Sequence, residues 1–141
     1  MDEAAARAAF EEALRSYRQD FGTFFLARLF GLDFAYEDGT CIVTGTVHDF
    51  MFNPQGSLHG GVISFILDVS MGHLLQKTYG AGTTLEMKVQ FLRPPAVGDI
   101  RAVGRFIKRG RSINYLESRL SQNGVDVAAA TSTWMRLAPG A

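Results

Sequence analysis

Residues 58–79 read LHGGVISFILDVSMGHLLQKTY, and this stretch decides the fold. It contains no proline, and as a helix it carries apolar residues on nearly every face. A helix that is apolar all round has to be buried. We therefore predict an α+β protein in which one curved antiparallel sheet wraps around a single long central helix.

Six segments outside this helix have the composition of β-strands, since they are rich in β-branched and aromatic residues and end at turn formers. Asp38-Gly39, between the first two segments, is a signal for a tight hairpin. The links between the last four segments are too short for crossovers, so antiparallel pairing is expected. The predicted strands cover residues 32–36, 40–47, 83–92, 100–108, 112–121 and 125–137.

The start of the chain has a different character from the rest. Residues 2–17 are rich in Ala, Glu, Arg and Leu at amphipathic helical spacing, and residues 21–30 favour a further helical turn or two. We expect a helical extension over residues 1–31 and a sheet-and-helix domain over residues 32–141, together forming a single structural domain.

Composition excludes several classes of protein. With 141 residues, 47% hydrophobic and 20% charged, the chain is neither disordered nor long enough for two cores. The 14 Lys+Arg balance 14 Asp+Glu, which argues against nucleic acid as a partner. The single cysteine, Cys41, cannot form an intramolecular disulfide or a thiolate metal site, and we interpret it as a small strand residue.

The same reasoning bears on location. No apolar run approaches the roughly 20 residues of a membrane span, and the acidic, Ala-rich start lacks the basic head and apolar core of a signal peptide. We expect a cytoplasmic protein that has no membrane partner and binds no metal.

Asp68 is the only acid between residues 50 and 85, and it falls in the middle of the predicted helix. A carboxylate in an apolar interior either pairs, accepts several hydrogen bonds, or rises in pKa and becomes useful as a base or nucleophile. The alternative is a side chain that surfaces at the edge of the helix. His73, on the same helix, is interpreted as a structural histidine with a satisfied ring.

Residues 53–61 read NPQGSLHGG and lie at the mouth of the helix. Glycine lets a substrate approach the backbone, and the first N–H groups of a helix have no internal acceptor, so they can hold an oxyanion. The alternative is a loop that only packs tightly, in which His59 satisfies a loop carbonyl.

Gly61, Ser64 and Asp68 fall along one face of the helix, yet the helix mouth and the acid are about 10 Å apart along its axis. One small reacting group cannot touch both. We therefore expect a two-fold dimer in which Asp68 of one subunit lies beside Gly60 of the other.

The motif Asn53-x-x-Gly56-x-x-His59-Gly60-Gly61, followed by Asp68 in a helix and by TLEMKVQFLRP at residues 84–94, resembles the hotdog-fold acyl-CoA thioesterases of the PaaI-like, phenylacetate-pathway type. The resemblance covers residues 32–137. It implies hydrolysis of an acyl or aryl-acyl coenzyme A by a homodimer that can pair into a tetramer, with no cofactor because coenzyme A belongs to the substrate.

The resemblance also implies roles for individual residues. The N–H of Gly60 would polarise the thioester carbonyl, with Asn53 and His59 around it. Asp68, from the opposite subunit, would activate water or attack the carbonyl. Thr84 would help to place the water, with Thr83 as the next candidate, although threonine is also simply at home in strands.

A run of basic residues late in the chain has two interpretations. Residues 88–111 carry seven bases and one acid, which indicates either a solvated face or a docking surface for a small polyanion. Given the resemblance, such a surface would hold the phosphates of coenzyme A. The substrate-binding candidates are Gly61, Arg93, Lys108, Arg109, Arg111 and Ser112.

Two other functions stay open. Similar dehydratases place a histidine where this chain has Asn53, which argues for hydrolysis over hydration or dehydration. A non-catalytic acyl-CoA-binding protein would keep the pocket and lose the carboxylate, so Asp68 favours an enzyme.

Overall fold

The computed structural model describes residues 1–138. It contains three α-helices, one short 3-10 turn and six strands, in an order that follows the predicted one. The elements are α1 (Glu3–Ser16), α2 (Phe25–Leu29), β1 (Asp33–Glu37), β2 (Thr40–Val47), the 3-10 turn (Asp49–Met51), α3 (Gly60–Tyr79), β3 (Gly82–Phe91), β4 (Gly98–Lys108), β5 (Ile113–Gln122) and β6 (Val125–Arg136).

The six strands form one antiparallel sheet in the order β1-β2-β4-β5-β6-β3. Two tight hairpins have positive φ at both central residues, namely 50° and 71° at Asp38 and Gly39 and 52° and 76° at Asn123 and Gly124. These angles suit the twist of paired strands. The hairpin predicted at Asp38-Gly39 is confirmed, and β3 lies at the far edge of the sheet, beside β6 alone.

Helix α3 lies against the inner face of the sheet and packs on strands β2 to β6. Its approach is close where β4 crosses it, since a Cβ on Gly104 would lie 2.5 Å from the carbonyl oxygen of Ser70. Leu67, Met71 and Leu75 of α3 are fully buried. The predicted α+β architecture, a curved antiparallel sheet wrapped around a long central helix with an N-terminal helix added, is confirmed.

The N-terminal extension, residues 1–31, covers another face of α3 with aromatic side chains. The ring of Phe65 meets those of Phe24 and Phe30 at centroid distances of 6.1 and 5.5 Å. His73 stacks on Phe34 at 4.2 Å, and its Nε2–H donates to the carbonyl of Phe21. Burial lowers the pKa of His73. The prediction of a satisfied structural histidine is confirmed.

Cys41 lies in β2 and is fully buried. Burial raises the pKa of its thiol to about 12, so the side chain behaves as a small apolar residue, as predicted. None of the helices within residues 1–138 combines the length and apolarity required to cross a bilayer.

Candidate active site

Asn53 builds the loop that leads into α3. Its side-chain Oδ1 accepts hydrogen bonds from the N–H groups of Gln55 and Ser57 at 2.9 and 3.2 Å, and its Nδ2 donates to the hydroxyl of Ser57 at 3.1 Å. An Asn side chain that bonds to the backbone two residues on is a standard way to close a turn. The loop is therefore held in shape from within, and Asn53 remains at the wall of a cavity described below.

His59 is the N-cap of α3. Its Nδ1 accepts a hydrogen bond from the N–H of Gly61 at 2.8 Å, so in the neutral ring the proton sits on Nε2. This bond satisfies one of the first donors of the helix. Gly61 is one of the predicted substrate contacts, and the structure shows that its N–H is already engaged by the cap.

Gly60, the first residue of α3, keeps the donor that the cap does not reach. Its N–H has no acceptor among residues 1–138, and it stands at the positive end of a 20-residue helix dipole. The absent side chain also matters, because a Cβ at Gly60 would lie 3.3 Å from Cε1 and Cζ of Phe91. The result is an open, oriented N–H beside an aromatic ring.

Gly60 lines a cavity of about 310 Å³. The cavity brings together three of the predicted site residues, Asn53, Gly60 and Arg93, and surrounds them with apolar side chains. A concave apolar site with a few convergent polar groups is the usual form of a small-molecule site. Its lining is completed by Ser57, Leu58, Ile63, Phe91, Leu92, Pro94 and Pro95.

Phe91 is the site residue that the sequence analysis missed. It ends β3, is more than half exposed and covers Gly60 with its ring edge. Only its position at the end of an apolar strand hinted at a role, and that signal does not distinguish it from Leu92. The contact with Gly60 depends on how β3 lies beside the helix mouth.

Asp68 and Thr84 meet within one chain. The hydroxyl of Thr84 donates to Oδ1 of Asp68 at 2.9 Å, and both residues are half-buried. Burial raises the pKa of Asp68 above its usual value, while the hydrogen bond from Thr84 and the nearby ring of His73 partly oppose the rise. The alternative position, Thr83, is exposed and pairs with Met135 in the sheet.

The acid and the helix mouth remain apart. Eight residues of α3 separate Gly60 from Asp68, which corresponds to about 12 Å along the axis. Asp68 does not line the cavity at Gly60. Within one chain, the N–H of Gly60 and the carboxylate of Asp68 therefore do not face each other.

The basic turn, Lys108–Ser112, lies at the opposite end of α3 from Gly60. Phe106 near this turn contacts Tyr79, the last residue of the helix, at a ring distance of 5.8 Å, and the guanidinium of Arg109 lies 4.6 Å from the ring of Phe106. Lys108, Arg109, Arg111 and Ser112 are all exposed. Within one chain the structure does not bring these residues together with Arg93.

The described part of the chain, residues 1–138, contains no group of three or more His, Cys, Asp or Glu side chains that could hold a metal ion. The polar groups described above are the amide N–H groups at the helix mouth and, apart from them, one carboxylate with one threonine hydroxyl. They are suited to polarising a carbonyl and to moving a proton.

Comparison with known proteins identifies the family. Residues 49–136, more than half of the chain, match the family model of the acyl-CoA thioesterase N-terminal domain. No curated protein matches the chain significantly.

Solved structures show the same architecture. A Ralstonia eutropha protein described as related to phenylacetic acid degradation is 29% identical, with a TM-score of 0.75 over 90% of this chain and 98% of its own. The PaaI protein of E. coli is 23% identical, with a TM-score of 0.78 over 94% and 96%. The BH2602 protein of Bacillus halodurans, solved with CoA, is 22% identical, with a TM-score of 0.88 over 97% and 94%. The chain therefore belongs to the hotdog-fold acyl-CoA thioesterase family, is PaaI-like in structure, and is a thioester hydrolase.

Proposed function

We propose that the protein hydrolyses an acyl or aryl-acyl coenzyme A to the free acid and coenzyme A, in a site that two subunits share. The observation that carries the proposal is the N–H of Gly60, which has no acceptor in residues 1–138 and belongs to a residue that lines an apolar cavity at a helix N-terminus. A donor in that place stabilises the charge that develops on a carbonyl oxygen. The solved relative from Bacillus halodurans holds CoA, which fits the same class of ligand.

The chemistry follows from the two halves of the centre. The carbonyl oxygen of the thioester accepts the hydrogen bond from Gly60 as water adds to the carbonyl carbon. Asp68 takes the proton from that water and returns it to the sulfur as the C–S bond breaks, so coenzyme A leaves as a thiol. Alternatively, Asp68 and not water attacks the carbon. The C–S bond then breaks as the acyl–Asp68 anhydride forms, the thiolate takes a proton from solvent, and water hydrolyses the anhydride to the free acid and the carboxylate.

Thr84 supports the role of Asp68. Because its hydroxyl donates to Oδ1, the carboxylate is held in one orientation and its Oδ2 can accept from water. A raised pKa also makes Asp68 a stronger base than an exposed aspartate. Asn53 has a second Nδ2 hydrogen, beyond the one that it donates to Ser57, with which to orient the thioester.

A dimer would close the gap of about 12 Å between Gly60 and the acid. Strand β3 is an edge of the sheet, and Leu85 and Phe91 on it and Leu92 just after it are exposed apolar residues, a combination that favours pairing with another strand. Antiparallel pairing of two β3 strands would set the Gly82 end of one beside the Phe91 end of the other. The partner subunit's Asp68 would then approach Gly60.

The same pairing would gather the basic residues. The Lys108–Ser112 turn lies at the C-terminal end of α3, so the partner's turn would come to the helix mouth where Arg93 lies. Guanidinium and ammonium groups from both chains could then hold the phosphates of coenzyme A. Association of two dimers into a tetramer and a cytoplasmic location stay predictions.

The experiment is a panel of acyl-CoA and aryl-acyl-CoA esters with detection of the released thiol by a disulfide reagent. Cys41 adds no background because it is buried and its pKa is raised to about 12. Release of coenzyme A supports the proposal. Tight binding of acyl-CoA without thiol release would indicate the non-catalytic binder, and loss of enoyl absorbance without thiol release would indicate a hydratase.

The shared site has its own test, in which two inactive variants are combined. Asp68→Asn and Gly60→Pro each damage a different half of the centre, so each homodimer lacks both sites. A mixed dimer pairs an intact Gly60 with an intact Asp68 at one of its two sites. Turnover should return when the variants are co-expressed, and a mixture that stays inactive although mixed dimers form would overturn the shared site.

A further inference from the structure

Asn114 is a fully buried polar residue of β5 that the proposed reaction does not use. Its Oδ1 accepts a hydrogen bond from the N–H of Gly110 at 2.9 Å. Its Nδ2 is buried and has no hydrogen-bond partner among residues 1–138. The side chain is therefore only half satisfied.

A buried amide with only one of its two groups hydrogen-bonded lowers the stability of the fold. Leu116 and Leu120, which lie on the same face of β5, are fully buried and apolar, and an apolar side chain at 114 would bury no unpaired side-chain amide. The visible gain from Asn114 is its bond to Gly110. We take that bond as the reason for the residue.

Gly110 is the centre of the basic turn, Lys108–Ser112. A Cβ at Gly110 would lie 2.0 Å from the carbonyl oxygen of Ile113, so the turn folds down tightly on the start of β5. The pairing of β4 with β5 also shifts register between Phe106 and Lys108, directly before the turn. The buried side chain of Asn114 holds this tightly folded backbone through its hydrogen bond from the N–H of Gly110.

The turn presents cations that the chain does not neutralise. Within residues 1–138, Lys108, Arg109 and Arg111 form no ion pair with an acidic side chain. Arg109 is further held by its stacking on Phe106. A fixed backbone with unpaired cations binds an anion with less loss of conformational entropy than a mobile one.

We propose that Asn114 is a positioning residue that fixes the basic turn for the phosphates at the nucleotide end of the substrate. This inference rests on the proposed hydrolysis of acyl-CoA by a shared site. Asn114 is buried beneath the turn and acts only through Gly110. Its loss should weaken the hold on the nucleotide and leave the reacting centre unchanged.

The test compares two substrates of one acyl group, acyl-CoA and acyl-pantetheine, which lacks the nucleotide and its phosphates. Asn114→Leu keeps the approximate volume and removes the acceptor for Gly110. We expect KM for acyl-CoA to rise roughly three- to tenfold, the effect of one lost hydrogen bond, with kcat unchanged. Both constants for acyl-pantetheine should stay at the wild-type values.

Gly110→Ala is the second variant. Its Cβ would collide with the carbonyl oxygen of Ile113 and so shift the turn, while the buried side chain of Asn114 stays unchanged. It should give the same selective rise in KM. Ser118→Ala is the matched control, because Ser118 is buried on the same face of β5 and bonds to Ser70 at 2.6 Å, away from the turn. It should leave KM unchanged for both substrates.

A rise in KM that is equal for the two substrates, or no rise in either variant, would overturn the role of Asn114. A wild-type protein that binds both substrates equally well would overturn it too, because the nucleotide would then not be held. These results leave thiol release intact and so differ from a failure of the proposed function. A wild-type protein that releases no thiol from any acyl-CoA removes the proposed function and this inference together.

Discussion

The mouth and the middle of α3 carry the two groups that we propose for the reaction, and they are built in different ways. At the mouth, the proposed group is the backbone N–H of Gly60, which the cap does not engage because His59 bonds to Gly61. In the middle, it is the side chain of Asp68, made basic by burial and oriented by Thr84. Backbone geometry creates the first and tertiary packing the second, so they should respond differently to substitution.

The largest effect on turnover is expected from a substitution of Asp68, in the middle of α3. Asp68→Asn keeps the shape and an acceptor for Thr84 but cannot take a proton, so kcat should fall by about 10²–10⁴-fold. The measurement is thiol release at saturating acyl-CoA. Asp126→Asn is the control, because Asp126 is a surface acid paired with Arg119 at 3.0 Å and should leave kcat unchanged. Retained turnover in the Asp68 variant would remove this residue from the mechanism.

The same variant tests the burial of the acid through stability. Burial raises the pKa of Asp68 in the folded protein above the usual 3.8 of an aspartate, so ionisation of this group favours the unfolded chain. The contribution of this carboxyl to the unfolding free energy is fully present below pH 3.8. It is lost as the pH rises through the pKa that Asp68 has in the folded protein. Asn has no such loss, so Asp68→Asn should gain in unfolding free energy relative to wild type between pH 4 and pH 7. A constant difference over this range would contradict a raised pKa.

The next effect is expected at the mouth. Gly60→Pro removes the N–H, and proline suits the first helical position, especially since His59 before it is extended, with ψ near 134°. We expect kcat to fall by about 10²–10³-fold, the effect of losing one oxyanion donor.

Gly60→Ala distinguishes the effect of losing the N–H donor from the effect of filling the space beside it. It adds the same Cβ, 3.3 Å from the ring of Phe91, and keeps the N–H. The alanine variant should retain most of its kcat, because the ring of Phe91 lies on an exposed strand end and can give way. Equal losses in both variants would show that space at Phe91, and not the donor, is what turnover needs.

A smaller effect is expected at Thr84. Thr84→Val removes the hydroxyl that opposes the rise in the pKa of Asp68, so this pKa should increase further. Since turnover needs the carboxylate, the acidic limb of the profile of kcat/KM against pH should move to higher pH. Thr84→Ser keeps the hydroxyl and should hold the limb in place. An unshifted limb in the valine variant would separate Thr84 from the reacting carboxylate.

The smallest effect is expected at His59. His59→Ala removes the N-cap of α3 and should cost about 0.5–2 kcal/mol of unfolding free energy, measured by chemical denaturation. Asn is a good cap, so His59→Asn should restore most of the loss. Stability equal to wild type in the alanine variant would mean that the bond from Gly61 contributes nothing.

Much of the fold could be predicted from residue patterns. The central helix was expected over residues 58–79 and is found at Gly60–Tyr79, because an apolar run without proline leaves little alternative to a buried helix. It ends at Gly80, whose φ of 95° suits glycine. The strands shift by one or two residues at their ends, where local patterns carry the least information.

The arrangement of the strands could not be predicted in this way. The order β1-β2-β4-β5-β6-β3 places β3 beside the last strand and leaves it at an edge. No local pattern encodes a pairing between segments about forty residues apart, since it depends on how the whole sheet closes around α3. That placement brings Phe91 over Gly60 and leaves β3 as an edge of the sheet.

By itself, the sequence determined the elements and the reactive groups: a buried helix with one acid, a glycine mouth, and a late cluster of bases. Each of these is a local property, readable from side-chain chemistry and spacing. Only the tertiary structure decided which groups meet: Thr84 with Asp68, Phe91 with Gly60, and Asn114 with Gly110, while Arg93 and the basic turn lie at opposite ends of α3. These contacts depend on pairings between residues that are distant in sequence, and those pairings form only when the sheet closes around α3.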